Sequence, residues 1–289
     1  MELFIQQIIN GLVIGSTYAV VAIGFALVFS VLKVINFAHP ELFMVGSFAG
    51  LLAATHVSEN IIVVLLAGAV TAAVLGLVME RTVLRYLRGR EVLMTLIATV
   101  GVAIIIHNAV AIFFTPDPVQ FPELLPQERF FFGDVSISIP QIFNFAVCGA
   151  ILLAASFYVR RTRYGRATRS IAERPDVAAA FGVDVNFVSM VTVVIASAMA
   201  GVAAVSVGLL YNSAWAFIGV VYGLKAFVCM LVAGSRFFEG VIVVGLALGV
   251  IEALVTGYVS SSLKDAVAFI MLMVILFLRP GGLFGSYQH

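Results

Sequence analysis

The sequence predicts an all-α fold, a polytopic transmembrane bundle of about nine helices with eight to ten as the bounds, and three observations carry this. Of the 289 residues 62% are apolar and 11% charged, against roughly 25% charged in an ordinary soluble domain. Apolar runs recur at about the 20 residues needed to cross a ~30 Å hydrocarbon core. The cations, finally, gather on alternate connecting segments, the arrangement that the positive-inside rule demands of a multi-pass chain.

The runs fall at 8–32, 40–56, 61–79, 92–114, 139–159, 187–210, 217–234, 240–258 and 265–279. The first could pass for a cleaved leader, but it lacks a basic start and its apolar stretch continues to Leu32, so it reads as a first transmembrane helix. The second is the weakest, because Lys33 to Pro40 interrupts it and leaves residues 33–56 open to spanning or to re-entry. The remaining runs read as plain spans. One set of connections holds Lys33, Arg81, Arg85, Arg88, Arg90, six arginines between Arg160 and Arg174, Arg236 and Arg279, which is 13 of the 16 cations. That set is assigned to the cytoplasm, so the N-terminus is external and the C-terminus cytoplasmic. The chain 1–289 reads as one transmembrane domain with an external loop over 115–138 and a cytoplasmic loop over 160–186. The external loop carries Pro116, Pro118, Pro122 and Pro126 among acidic residues; it is either a connector or a docking surface for an extracytoplasmic partner.

A net charge of +1 offers no footprint for nucleic acid. Cys148 and Cys229 lie inside apolar runs and read as small hydrophobes, with neither a disulfide nor a metal site. There is no phosphate-binding Gly-rich loop and no His-Glu-x-x-His, and His39, His56, His107 and His289 are scattered, so neither an ATPase nor a metalloenzyme is indicated. Pairs of glycines four apart, Gly11/Gly15, Gly46/Gly50, Gly219/Gly223 and Gly245/Gly249, suit close helix packing.

What remains is the polar residues at membrane depth, where an ionisable group is costly and tends to meet a partner or a cavity. Lys225 either snorkels to the interface or faces a pathway. Glu252 either pairs with a cation such as Lys225 or is protonated. His107 and Asn108 read as helix-to-helix hydrogen-bonding groups. In the cytoplasmic loop, Pro175 suits a first helical position, Asp176 the positive helix end and Gly182 a helix stop. A short helix over Pro175 to Phe181 is predicted, with Ala178, Ala179 and Ala180 as a small-residue face for a groove on another protein. Arg160, Arg161 and Arg163 suit the anionic inner leaflet.

Five stretches together carry a family resemblance: Gly11 to Tyr18 with Ala22 to Phe25, Ile35 to His39, Tyr164 through Ile171 and Glu173 to Gly182, Leu224 to Phe227, and Leu278 to Gly285. Over nearly its whole length the chain resembles the LivH-type permease of bacterial ABC importers for branched-chain amino acids, a family that includes urea and short-amide permeases. The resemblance implies a multi-pass subunit of the bacterial cytoplasmic membrane. Its implied partners are a second homologous permease, two cytoplasmic ATP-binding subunits and an extracytoplasmic solute-binding protein. It implies no cofactor in this chain, with ATP and Mg held by the ATP-binding subunits, and a small-molecule substrate. It puts contact with the ATPases on Arg166, Arg169, Glu173, Asp176, Ala179 and Gly182. Asn36, Phe37, His39 and Lys225 become pathway candidates, joined by the membrane-depth Glu252. Three departures stand out: Pro40 where the family usually has Gly, Arg174-Pro175 where an acidic residue or Asn is common, and Val232 to Gly240 in place of a Gly-rich run. The alternatives are a urea or short-amide ABC permease, an ion-coupled secondary transporter or channel, which requires ionisable relays at mid-membrane, and a membrane-embedded enzyme, for which no nucleophile, base and metal grouping exists.

Overall fold

Helix α1, Glu2–Leu32, is apolar on every side and contains no proline, which is the pattern of a helix surrounded by protein. It sits at the centre of the bundle. The computed structural model describes residues 2–234 and 238–284; Arg236, Gly285 and His289 of the sequence reading lie outside the described residues. The helices that follow are α2 (His39–His56), α3 (Ile61–Met79) continued by a π-turn over Glu80–Leu84 into α4 (Arg85–Leu87), α5 (Val92–Phe113), α6 (Ile139–Arg161), α7 (Arg163–Glu173), α8 (Pro175–Ala180), α9 (Val185–Tyr211), α10 (Ile218–Ala233), α11 (Phe238–Tyr258) and α12 (Lys264–Leu278). Among the described residues, seven helices are long and apolar enough to cross a membrane, and the chain is a polytopic helical protein. All nine predicted runs are helical, but α10 has 16 residues and the 18-residue α2 begins with a histidine and a glutamate close behind it.

Burial divides the helices into two classes. The most apolar window of α1 is 83% buried and that of α9 72%, whereas α5 and α12 reach 11%. The outer helices turn apolar side chains outward in stripes, such as Ile62, Leu66, Val70, Val74 and Val78 on α3. In water such a surface would be a liability; against lipid tails it is the required boundary.

Because lipid is as apolar as leucine, the helices associate through close packing rather than through burial from water. The predicted glycine pairs lie at those contacts. Gly11 and Gly15 of α1 face Gly245 and Gly249 of α11 so closely that a Cβ at Gly249 would overlap the Gly11 carbonyl. Gly46 and Gly50 meet α9, where a Cβ at Gly46 would lie 2.5 Å from Gly201 Cα. Gly219 and Gly223 leave room for Pro40 at the start of α2.

Two features depart from the sequence reading. The segment over 115–138 contains strands: β2 (Arg129–Phe132) and β3 (Val135–Ser138) form an antiparallel hairpin turning at Gly133, and β1 (Val119–Gln120) pairs with β4 (Ser213–Ala214). The all-α reading is corrected to that extent, because this segment is freed from the helical requirement of the bilayer core. The loop over 160–186 likewise holds two helices rather than one. Thr162 caps α7 by accepting from Gly165 N, and α8 starts at Pro175 and ends before Gly182, whose φ of +84° is glycine's own territory.

Substitution of Gly249 by leucine is expected to destabilise the detergent-solubilised protein by about 1–3 kcal/mol through overpacking. Gly101→Ala, at a position with nothing within 4 Å, should be silent in the same thermal-melt measurement.

Candidate functional site

The chain between α1 and α2 is irregular, with Lys33 in the left-handed region (φ 55°) and Val34, Asn36 and Ala38 buried. Irregular backbone inside a membrane protein must have its polar groups satisfied by protein, and here α5 provides for them. Thr99 Oγ1 accepts from Phe37 N at 3.3 Å and donates to the Ile35 carbonyl at 3.3 Å. Asn36 Oδ1 accepts from Ala38 N at 3.1 Å, bending the chain into α2. His39, fully buried, sets its ring edge against Phe25 with centroids 5.0 Å apart, while Phe37 packs on Phe227 of α10. The structure therefore brings Asn36, Phe37 and His39 together with α1, α5 and α10. Pro40, the departure from the family pattern, is accommodated by the two α10 glycines.

Lys225 and Glu252, separate in sequence, meet inside the bundle. The Lys225 ammonium lies 2.9 Å from Glu252 Oε1 and 3.0 Å from Oε2, and Tyr18 donates to Oε2 at 2.8 Å. With the Lys225 side chain 4% exposed and that of Glu252 1%, this is a buried, hydrogen-bonded ion pair linking α10, α11 and α1. The ammonium also reaches Asp265 Oδ1, 2.9 Å away on the exposed start of α12. Beside the pair a cavity of about 290 Å³ is lined by Glu252, Tyr211, Gln141, Asn10 and Gln7. A buried charge with one partner removed is strongly destabilised, so this cluster fixes the relative placement of four helices.

The sequence-predicted coupling residues lie together at the other end of the bundle and are exposed. Arg169 and Glu173 of α7 line a cleft of about 660 Å³ with Lys33, Arg160 and Glu239. Lys33 Nζ donates to the Ala172 carbonyl at 2.6 Å, so the end of α7 is tied to the irregular segment below α2. On α8 the face needs correction: Ala178 is buried against Val31, Ile171 and Val188, leaving Ala179 and Ala180 outward with Val177 and the 84%-exposed Phe181. Asn108 is corrected as well. It donates to its own helix at the Ile104 carbonyl, 2.8 Å away, and not across helices. Tyr18, Glu41, Thr99 and Phe181 escaped sequence reasoning; Glu41 alone carried a signal, a charge just inside an apolar run.

Residues 7–276 match the family described as branched-chain amino acid transport system / permease component. The chain belongs to that family. It is 35% identical to the high-affinity branched-chain amino acid transport system permease protein BraD of Pseudomonas aeruginosa, over 98% of this chain and 96% of that protein. With the corresponding LivH protein of Escherichia coli K12 it shares 34% identity, again over 98% and 96%. A solved structure, PsaBC from Streptococcus pneumoniae in complex with Fab, shares the fold at a TM-score of 0.51 and 15% identity, covering 96% of this chain and 92% of that one. The protein is thus a multi-pass permease component of a transporter rather than an enzyme. In that family frame, the irregular segment and the buried pair are features of a transport subunit and not of a catalytic centre.

Lys225→Met is expected to cost about 3–5 kcal/mol by stranding the buried Glu252 carboxylate, and Glu252→Gln less, because Lys225 keeps Asp265 at 2.9 Å. The double variant should recover most of that in a thermal-stability cycle. Additive losses would show that the pair does not couple the helices.

Proposed function

We propose that this chain is the transmembrane permease subunit of an ATP-driven importer for branched-chain or similar small amino acids, lining one side of a route shared with a second, homologous permease. The observation that carries the reading is the family match over residues 7–276, and the cytoplasmic helix pair α7–α8 supplies a device suited to it. In this reading all nine helical runs cross or enter the membrane, the N-terminus is external and the C-terminus cytoplasmic. Two ATP-binding subunits on the cytoplasmic side hold ATP and Mg, and none is held here. A solute-binding protein docks outside, against the hairpin that exposes Phe130, Phe131 and Phe132.

Movement is transmitted through groups already in contact. An ATPase that engages Ala179, Ala180 and Phe181 moves α8 and, through Ala178 and Ile171, the neighbouring α7. The Lys33 bond to Ala172 carries that displacement to the segment holding Asn36, Phe37 and His39. Arg166, Arg169, Glu173, Asp176 and Gly182 shape the same docking end, and Lys225 with Glu252 holds the outer half while the inner half rearranges. A two-state element biased by a partner is what coupling requires.

Ala179→Glu should leave ATP hydrolysis by the assembled importer no longer stimulated by substrate-loaded binding protein. Phe181→Ser should weaken ATPase association on the order of tenfold, as the loss of an aromatic interface anchor does. Normal stimulated hydrolysis and uptake in both variants, measured in reconstituted vesicles, would remove α8 from the coupling route.

A further inference from the structure

Glu41, Glu80 and Glu252 are the buried carboxylates among the described residues. Glu252 has Lys225 within 2.9 Å and Glu80 has Arg88 Nη2 within 3.3 Å. Glu41 is different. It is 3% exposed, its Oε2 is buried without a hydrogen-bond partner, and its nearest basic group, His107 Nδ1, stands 3.8 Å away, beyond hydrogen-bond reach. A buried carboxylate oxygen left unpaired is costly, and a cationic group brought beside it would offset that cost.

The space beside it has the shape for one. Glu41 borders a cavity of about 330 Å³ between α2, α5 and α10, within the range of roughly 300–1,000 Å³ usual for small-molecule sites. Its apolar wall includes Ala103, Ile104 and Val220, and its polar end Glu41, His107 and Asn108. Ile104 is 57% and Val220 40% exposed, so the cavity opens on the flank of the bundle. A carboxylate at one point, amide and imidazole groups on the neighbouring turn and an aliphatic wall match one ligand chemistry: an ammonium, a carboxylate and a branched hydrocarbon on one small carbon frame.

The geometry points to a subsite for the transported amino acid itself, in which Glu41 Oε2 receives the α-ammonium group, His107 and Asn108 face the carboxylate, and Ala103, Ile104 and Val220 hold the side chain. This deepens the proposed function and rests on it. Glu41 follows directly on the segment tethered to α7 through Lys33, so a displacement there would change the subsite's affinity as the ATPases cycle. A neutral amide brings no cation, so the same site discriminates against it.

The test uses the whole importer, this chain with its partner permease and ATPases, in vesicles with its binding protein and radiolabelled leucine or valine as probes. Glu41→Gln should lower uptake of both about tenfold or more, the loss of a charge-assisted hydrogen bond, with basal ATP hydrolysis within about twofold of the parent. Glu41→Asp should restore part of the uptake. Ala103→Leu, which fills the aliphatic end, should lower the leucine-to-valine uptake ratio at least about threefold, a shift that a purely structural role would not produce. Parental uptake in Glu41→Gln, or an unchanged ratio in Ala103→Leu, overturns the subsite; should Glu41→Gln fail to assemble, the Ala103→Leu ratio decides. If the parent importer takes up neither amino acid, the proposed function falls and the subsite with it.

Discussion

The close approach of α1 to α11 is the contact on which the rest of the molecule depends. Gly11 and Gly15 on one helix and Gly245 and Gly249 on the other bring the two backbones together. At that separation Tyr18 reaches Glu252, and the carboxylate can hold the Lys225 ammonium with α10 and the start of α12 in place. Each step is forced by the solvent. With no hydrophobic drive between helices in lipid, backbone proximity and interior hydrogen bonds must supply the association.

A second consequence follows for the break between α1 and α2. Backbone groups cannot be left unsatisfied in hydrocarbon, so a non-helical segment is possible only because α5 supplies Thr99 and because α10 has glycines where Pro40 enters. The break in turn gives the protein a joint. Its start is fastened to α7 by Lys33 and its end leads to Glu41, which connects α7 and α8 to the bundle's flank through covalent chain and hydrogen bonds rather than through lipid-facing helices.

Sequence patterns disclosed the helices well because their cause is local: an apolar run of spanning length has few other fates. The short helix at Pro175 was legible for the same reason, since proline, acidic residue and glycine act on their own turn. The neighbouring α7 was not legible, because its arginines suit a charged connector as well as a helix, and its register is set by Gly165 lying against the Tyr158 carbonyl. Ala178 was assigned outward because composition cannot say which of three alanines meets Val31 and Ile171. The β2–β3 hairpin escaped because four prolines dominate the reading of that loop.

The sequence by itself determined the solvent, the sidedness expected of the loops and the family, since these depend on composition, charge placement and ordered motifs. Only the tertiary structure decided which polar residues share a site. It joined Lys225 to Glu252 and Tyr18, turned the Asn108 amide onto its own helix, and left a buried Glu41 oxygen without a partner beside a cavity. The physical reason is that helix rotation and register arise from packing between distant glycines and side chains, and an apolar run with no polar face contains no local signal of which way it will turn.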